Sequence, residues 1–255
     1  MELLSIDKLT KTFGGIGAVK NFSFSADSNR ITALIGPNGA GKTTVFNLIS
    51  RIIKADSGSI IYNNINLLNQ KPHRLMQLGI SRTFQNVVLF DNMPLIDNIM
   101  IGGHIKCHPG IIKYLFSFSL SWKEDKILRE KSEYFLEFAG LKDKINSSIA
   151  ELAFGQQRLA EIARALVSEP DFILLDEPAA GLNPKETEQL GELLCKIKAL
   201  QKTILIVEHD MNLVMNISDK IVVMNFGEFL AEGKPADILA NKDVISAYLG
   251  DDELC

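Results

Sequence analysis

The chain has 255 residues, of which 46% are hydrophobic and 23% are charged, and its formal net charge at pH 7 is −4. This composition is typical of a globular protein rather than a disordered chain or an integral membrane protein. The slightly acidic balance excludes an overall basic field of the kind that favours nucleic acid. The three cysteines are far apart and lack metal or redox spacing, which indicates incidental thiols in a reducing compartment.

Two segments bear on membrane insertion. Residues 1–9 are too few and too charged to form a signal peptide. The apolar run at residues 111–122 is about twelve residues long and is interrupted by Lys113, whereas a spanning helix needs ~20 apolar residues. We therefore expect that run to form a buried or partner-facing helix, and we expect no segment to cross a bilayer.

The first third of the chain alternates short strands with turns. Apolar, β-branched runs predict strands at residues 22–26, 31–35 and 59–62. A glycine-rich loop at residues 36–41 follows the second of these strands, and helical periodicity continues from residue 42 to residue 53.

The middle of the chain has a different pattern of apolar residues. Residues 86–152 carry few strand signals, and residues 123–140 have the spacing of an amphipathic helix. The apolar residues of that helix are Ile127, Leu128, Tyr134, Phe135 and Phe138. We interpret this region as a helical subdomain inserted between core segments 1–85 and 153–255 of one domain.

The last third returns to alternating helices and strands. Buried strands are predicted at residues 172–175 and 203–207, and a hairpin at 221–231. The predicted helices cover residues 156–166, 185–200 and 212–218, and a last one begins at Pro235. Strands that alternate with helices predict an α/β fold, with a mostly parallel sheet covered on both faces.

The glycine-rich loop fits the phosphate-binding pattern G-x-x-x-x-G-K-[ST] between a strand and a helix. Glycines let backbone N–H groups turn toward phosphates, and the next helix presents its positive end to them. Lys42 would reach the β- and γ-phosphates of a nucleotide, and the Thr43 hydroxyl would ligate Mg²⁺. The motif consists of Gly36, Pro37, Asn38, Gly39, Ala40, Gly41, Lys42 and Thr43.

Two carboxylates follow the buried strand at residues 172–175. Ligands bind at the carboxyl edge of parallel sheets, so Asp176 and Glu177 are expected near the phosphate loop. Asp176 is a candidate ligand for Mg²⁺, and Glu177 would polarise an attacking water. Together with the loop, they predict a P-loop NTPase and leave open kinases, helicases and GTPases.

Residues 152–158, LAFGQQR, precede a helix about twenty residues before Asp176. Here the chain resembles the ABC ATPase family, whose signature loop usually reads Leu-Ser-Gly-Gly-Gln. The resemblance covers nearly the whole chain and argues against a P-loop kinase. It implies a RecA-like core, antiparallel β elements near the N-terminus, and hydrolysis of ATP with Mg²⁺.

The resemblance also assigns individual residues. Phe13 would stack on adenine, and His209 would be the switch histidine near the γ-phosphate. Gln85 would be the loop glutamine between the two subdomains, a catalytic residue and Mg²⁺ ligand that reports the γ-phosphate to the membrane partner. Two cassettes of this family pair head to tail, so ATP on the loop that ends at Thr44 would be covered by the second cassette. Its covering residues would be Ala153, Gly155 and Gln156.

Three residues depart from the usual family pattern. Ala153 replaces a serine, Phe154 replaces a glycine, and Asn183 stands where aspartate is common. The residues expected to act on ATP are all present, namely Lys42, Asp176, Glu177 and His209. We interpret this as a variant but active signature.

Four segments narrow the resemblance to the ATPases of branched-chain amino acid importers: LAFGQQR, DEPAAGLNP (176–184), VEHDM (207–211) and AYLGDD (247–252). The related ATPases of urea importers and of lipopolysaccharide exporters stay open as alternatives. A soluble ABC ATPase acting on nucleic acid or ribosomes also stays open, although those in translation usually carry two cassettes in one chain.

The family implies partners and a location. Its cassettes work at the cytoplasmic face of the inner membrane with transmembrane permease subunits, a second cassette and, in importers, a solute-binding protein. A permease helix would dock beside residues 86–101 through Val88, Leu89, Phe90 and Leu95. The alternative is that these side chains only seal the helical subdomain onto the core.

Overall fold

The computed structural model describes residues 1–83, 88–103 and 118–249, without the side chains of residues 118–123 and 249. The strands are β1 (Glu2–Phe13), β2 (Ile16–Asp27), β3 (Ile31–Ile35), β4 (Ser57–Tyr62), β5 (Ile65–Asn66), β6 (Ile80–Arg82), β7 (Phe172–Asp176), β8 (Thr203–Val207), β9 (Lys220–Asn225) and β10 (Glu228–Gly233). The helices are α1 (Lys42–Ile49), α2 (Leu95–Ile101), α3 (Phe118–Phe138), α4 (Phe154–Val167), α5 (Pro184–Ala199), α6 (Met211–Ile217), α7 (Pro235–Leu239) and α8 (Lys242–Leu249).

The strands form two sheets. One has the order β10-β9-β3-β8-β7-β6, and all its neighbours are parallel except the β9–β10 hairpin. The other has the order β2-β1-β4-β5 and is antiparallel. The predicted α/β fold, with a mostly parallel sheet and antiparallel elements near the N-terminus, is confirmed.

The parallel sheet is buried on both faces. Along β3, Ile31, Ala33 and Ile35 pack into the core shared with α2–α6, while Leu34 faces the core shared with α1 and the antiparallel sheet. Burial on two faces requires apolar residues at successive positions, and all of β3, β7 and β8 is buried. Because these buried strands are also parallel, their carboxyl ends lie at the same edge of the sheet.

Some elements differ from the sequence-based expectation. Strand β1 was not predicted, because register shifts against β2 and β4 break its alternation. Helix α2 is too short to show a clear period. In α3, Leu128 and Phe135 are buried but Ile127 and Tyr134 are exposed, so its buried stripe is narrower than its apolar content suggested.

The described residues between 88 and 152 contain α2, α3 and short 3₁₀ turns. The limits of the inserted helical subdomain, residues 86–152, stay a prediction. Across residues 1–83, 88–103 and 118–249, no helix has the length and apolarity needed to cross a membrane. The apolar run at 111–122 lies outside the described residues, apart from the backbone of its last part in α3.

The segment predicted to dock a permease divides into exposed and buried parts. Val88 is 51% exposed and Phe90 is 49% exposed, whereas Leu95 is fully buried. The backbone of Phe90 is anchored by the buried Asn98, whose Oδ1 accepts from Phe90 N at 2.7 Å. The expectation that Leu95 is exposed was wrong, because α2 turns it into the core.

Candidate active site

The phosphate loop connects β3 to α1 and packs tightly against β2 and β9. A Cβ built on Gly36 would lie 2.0 Å from the Met224 carbonyl oxygen, and one on Gly41 would lie 2.3 Å from that of Ala18. Gly41 also has a φ of 105°, in the region that favours glycine. Any side chain at these two positions would push the loop away from its neighbours, so the motif glycines match its geometry.

Lys42 folds back over this loop. Its Nζ donates to the carbonyl oxygens of Gly36, at 2.6 Å, and Pro37, at 2.9 Å. Burial lowers the pKa of Lys42 from its ordinary value, and the Glu177 carboxylate opposes that change. The ammonium is thus held inside the loop by two neutral acceptors, for which an anionic phosphate is a stronger replacement.

The loop shares one cleft with residues from far along the chain. Strands β3, β8 and β7 are parallel neighbours, so the segments after them meet at the same edge of the sheet. The cleft is lined by Ala18, Asn38, Gly39, Gly41, Lys42, Thr43, Thr44, Glu177 and His209. Ala18 is a lining residue that the motifs did not predict.

Glu177 and His209 are in direct contact in this cleft, with Glu177 Oε1 2.8 Å from His209 Nε2. Glu177 has a φ of 49°, which costs a non-glycine residue about 1 kcal/mol or more. Its backbone N–H donates to the Val207 carbonyl oxygen at 2.9 Å, which ties the end of β7 to β8. The tertiary structure therefore holds Glu177 in a strained backbone conformation, with its carboxylate against the His209 imidazole.

Asp176, the residue before Glu177, is 3% exposed and is not among the described residues that line the cleft. Arg82 Nη2 donates to its Oδ2 at 2.7 Å. Burial raises the pKa of Asp176, and the Arg82 guanidinium opposes that rise. Arg82 Nη1 also donates to Asn47 Oδ1 at 2.9 Å and to Ser50 Oγ. Arg82 belongs to no motif that we recognised, and its pairing arises because β6 lies beside β7.

Other predicted residues lie elsewhere. Phe13 ends β1, is 48% exposed, and has Lys11 Nζ 5.3 Å from its ring centre. Gln85 lies outside the described residues. The signature residues Ala153, Gly155 and Gln156 are not among the described residues that line the cleft. The functional roles assigned to all these residues stay predictions.

The signature residues lie at the start of α4, and Gly155 packs against Glu186 in the first turn of α5. A Cβ built on Gly155 would lie 2.6 Å from Glu186 Oε1, which is too close. The absence of a side chain at Gly155 therefore allows α4 and the Glu186 side chain to approach each other. Glu186 and Asn183 cap α5 reciprocally through two 3.0 Å backbone-to-side-chain bonds. Asn183, where aspartate was expected, therefore retains a capping function.

Ala153 occupies the N-cap of α4 without a capping side chain. Its N–H donates to Gln156 Oε1 at 3.0 Å, which is half of a capping box. Ala153→Ser should complete the box and raise the free energy of unfolding by about 1 kcal/mol. Denaturant unfolding measures this. Ala199→Ser, at the exposed C-terminal end of α5, is the control; equal effects of the two changes would contradict the capping argument.

Comparisons with known proteins agree with the geometry. A family profile described as ABC transporter matches residues 19–180. A second, described as branched-chain amino acid ATP-binding cassette transporter, matches residues 230–253. The high-affinity branched-chain amino acid transport ATP-binding protein LivG of Salmonella typhimurium is 42% identical over 250 residues, covering 98% of each chain.

Solved structures agree as well. A nucleotide-free ATP-binding cassette from an ABC transporter superposes with a TM-score of 0.85 at 33% identity, covering 98% of this chain and 100% of that one. A dimeric ATP-binding cassette in a post-hydrolysis state, bound to ADP and Pi, superposes with a TM-score of 0.76 at 26% identity, covering 91% and 99%.

Proposed function

This chain belongs to the ABC transporter family as one of its ATP-binding, ATP-hydrolysing subunits, and we propose that it powers the import of branched-chain amino acids. The observation that carries the proposed solute is the similarity to LivG over 98% of both chains. The C-terminal match at residues 230–253 supports the same solute class. The subunit would act from the cytoplasmic face of the membrane.

ATP would bind in the cleft with its phosphates on the loop from Gly36 to Thr44. Backbone N–H groups and the Lys42 ammonium supply the positive charge that phosphates require. Phe13, exposed at the end of β1, would stack on the adenine. The Thr43 hydroxyl and the Asp176 carboxylate are the oxygen ligands that Mg²⁺ prefers, and we propose Gln85 as a third. Mg²⁺ would neutralise charge that develops on the β- and γ-phosphates.

Hydrolysis would depend on the pair formed by Glu177 and His209. The Glu177 carboxylate would accept a proton from the attacking water. His209, 2.8 Å from that carboxylate, would hold it in place and approach the γ-phosphate. The strained backbone at Glu177 is typical of functional sites and supports this role.

A second cassette would complete the site. The start of α4 carries Ala153, Gly155 and Gln156, and a helix N-terminus favours an anion. These residues do not line the cleft of their own chain, as far as the described residues extend. We propose that they cover the γ-phosphate bound by the partner cassette. The likeness to a dimeric cassette bound to ADP and Pi supports this arrangement.

Permease subunits would dock on the exposed surface of Val88 and Phe90. Half-exposed apolar side chains suit a helix-in-groove contact. Because the Phe90 backbone is anchored by Asn98, its side chain can change without loss of the local fold. Leu95, fully buried nearby, provides a matched control.

Phe90→Glu should leave folding and ATP binding intact but prevent co-purification with the permease, because a charge in an apolar contact is costly. Uptake of labelled leucine, isoleucine and valine should fall by roughly tenfold or more in cells that depend on this subunit. Leu95→Glu should instead lower the melting temperature sharply, because it buries an unpaired carboxylate.

The same assay tests the solute. The unmodified gene should restore leucine uptake to a strain that lacks it and should not restore urea uptake or lipopolysaccharide export. Restoration of urea uptake alone would make the proposed solute wrong. A Phe90→Glu subunit that assembles and transports normally would make the proposed docking surface wrong.

A further inference from the structure

Glu208 is a buried carboxylate that directly follows β8, and it is not one of the residues predicted to act on ATP. It is 3% exposed. Its Oε1 accepts from Ala179 N at 2.6 Å, and its Oε2 accepts from His209 N at 2.7 Å and from Asp210 N at 3.2 Å. Three backbone N–H groups therefore converge on one carboxylate, which compensates the cost of burying its charge.

These N–H groups come from two different loops. Ala179 lies in the loop after β7, two residues beyond Glu177. His209 and Asp210 lie in the loop after β8, and the Asp210 side chain caps α6 by accepting from Leu213 N at 3.0 Å. Glu208 thus joins the loop that carries the candidate base to the loop that carries the candidate switch histidine.

Glu177 is held from both sides by this arrangement. Its own N–H donates to the Val207 carbonyl oxygen at 2.9 Å, and the chain beyond it is fixed where Ala179 N meets Glu208. Between these two anchors Glu177 keeps its left-handed backbone, with φ of 49°. Loss of the second anchor would let the strained residue relax away from His209.

We infer that Glu208 is a positioning residue that sets the spacing of the two loops and so keeps the Glu177 carboxylate against the His209 imidazole. This inference rests on the catalytic roles proposed above for Glu177 and His209. A carboxylate suits the task because it offers acceptors only. A glutamine of the same size would turn an NH₂ group toward at least one of the converging N–H donors.

Glu208→Gln should lower kcat for ATP hydrolysis roughly 10- to 100-fold, as small displacements of catalytic groups do. The dissociation constant for a fluorescent ATP analogue should stay within about twofold of wild type, because Glu208 does not line the cleft. The control is Glu232→Gln, a carboxylate on the edge strand β10 that pairs with Lys220. It should leave both values unchanged.

A second readout follows His209 itself. The chain has four histidines, so the imidazole Cε1–Hε1 resonance of His209 can be assigned with a His209→Ala variant. In nucleotide-free protein, Glu208→Gln should move that resonance in the same direction as Glu177→Gln, because both disturb the same contact. If Glu208→Gln fails to fold, Glu208→Asp is the second variant. It keeps the charge but is one methylene shorter, so it should lose the hydrogen bond from Ala179 N and should also move the His209 resonance.

The outcomes separate the two proposals. A Glu208→Gln variant with wild-type kcat, or one with lowered kcat and an unmoved His209 resonance, would overturn the positioning role. If Glu177→Gln hydrolyses ATP at the wild-type rate, the proposed base is wrong. The His209 resonance would still report whether Glu208 sets the loop spacing.

Discussion

Replacing Glu177 with glutamine should lower ATP hydrolysis by roughly 10²-fold or more and leave ATP binding close to wild type. Glutamine preserves the size of the side chain but replaces the carboxylate that lies 2.8 Å from His209 Nε2 with a neutral amide. It cannot accept a proton from water. The change therefore removes proton transfer and leaves the phosphate loop untouched.

The same variant should accumulate as an ATP-bound dimer if, as we propose, a second cassette covers the ATP, because the unhydrolysed nucleotide would keep the two cassettes together. Gel filtration with ATP and Mg²⁺ measures this, beside the rate of phosphate release. Glu188→Gln, an exposed carboxylate in α5, is the control and should behave as wild type. A Glu177→Gln protein with normal turnover would show that another group activates the water.

Replacing Lys42 with alanine should abolish detectable turnover and weaken ATP binding by roughly 10- to 100-fold, the range expected for lost hydrogen bonds to a charged group. The ammonium lies inside the phosphate loop, held by the carbonyl oxygens of Gly36 and Pro37. No other described lysine or arginine lines the cleft, so its charge has no substitute among the described residues.

Titration with a fluorescent ATP analogue measures this loss of affinity. Lys185→Ala, an exposed lysine at the start of α5, removes the same charge away from the cleft and should bind normally. The melting temperature of the nucleotide-free protein shows whether Lys42→Ala is folded. A folded Lys42→Ala variant with full ATPase activity would overturn the assignment of the phosphate loop.

Much of the fold and part of the candidate site could be predicted because they depend on short-range sequence patterns. Buried parallel strands require apolar runs, so β3, β7 and β8 stood out in the sequence. The phosphate loop needs glycine wherever the backbone approaches a neighbour closely, as at Gly36 and Gly41. The α/β alternation and the phosphate loop predicted a P-loop NTPase, and the resemblance at residues 152–158 indicated the ABC family, which the comparisons confirm.

Other elements could not be predicted, because competing local signals hide them. Strand β1 carries polar residues and register shifts that break its alternation. Leu95 appeared as part of an exposed apolar segment because seven residues of α2 are too few to show which face is buried. In such short segments, packing against the rest of the domain decides the burial of each side chain.

The sequence therefore predicts the phosphate loop and the two carboxylates at the end of β7, because each depends on residues that are neighbours along the chain, and its separate motifs indicate the family. Three further features depend on residues far apart in sequence: the pairing of Arg82 with Asp176, the contact of Glu177 with His209, and the convergence of two loops on Glu208. All three arise from the order β3-β8-β7-β6 in the parallel sheet, which brings separate strand ends side by side. No local pattern specifies that order, since it is set by which buried faces pack together when the whole domain folds.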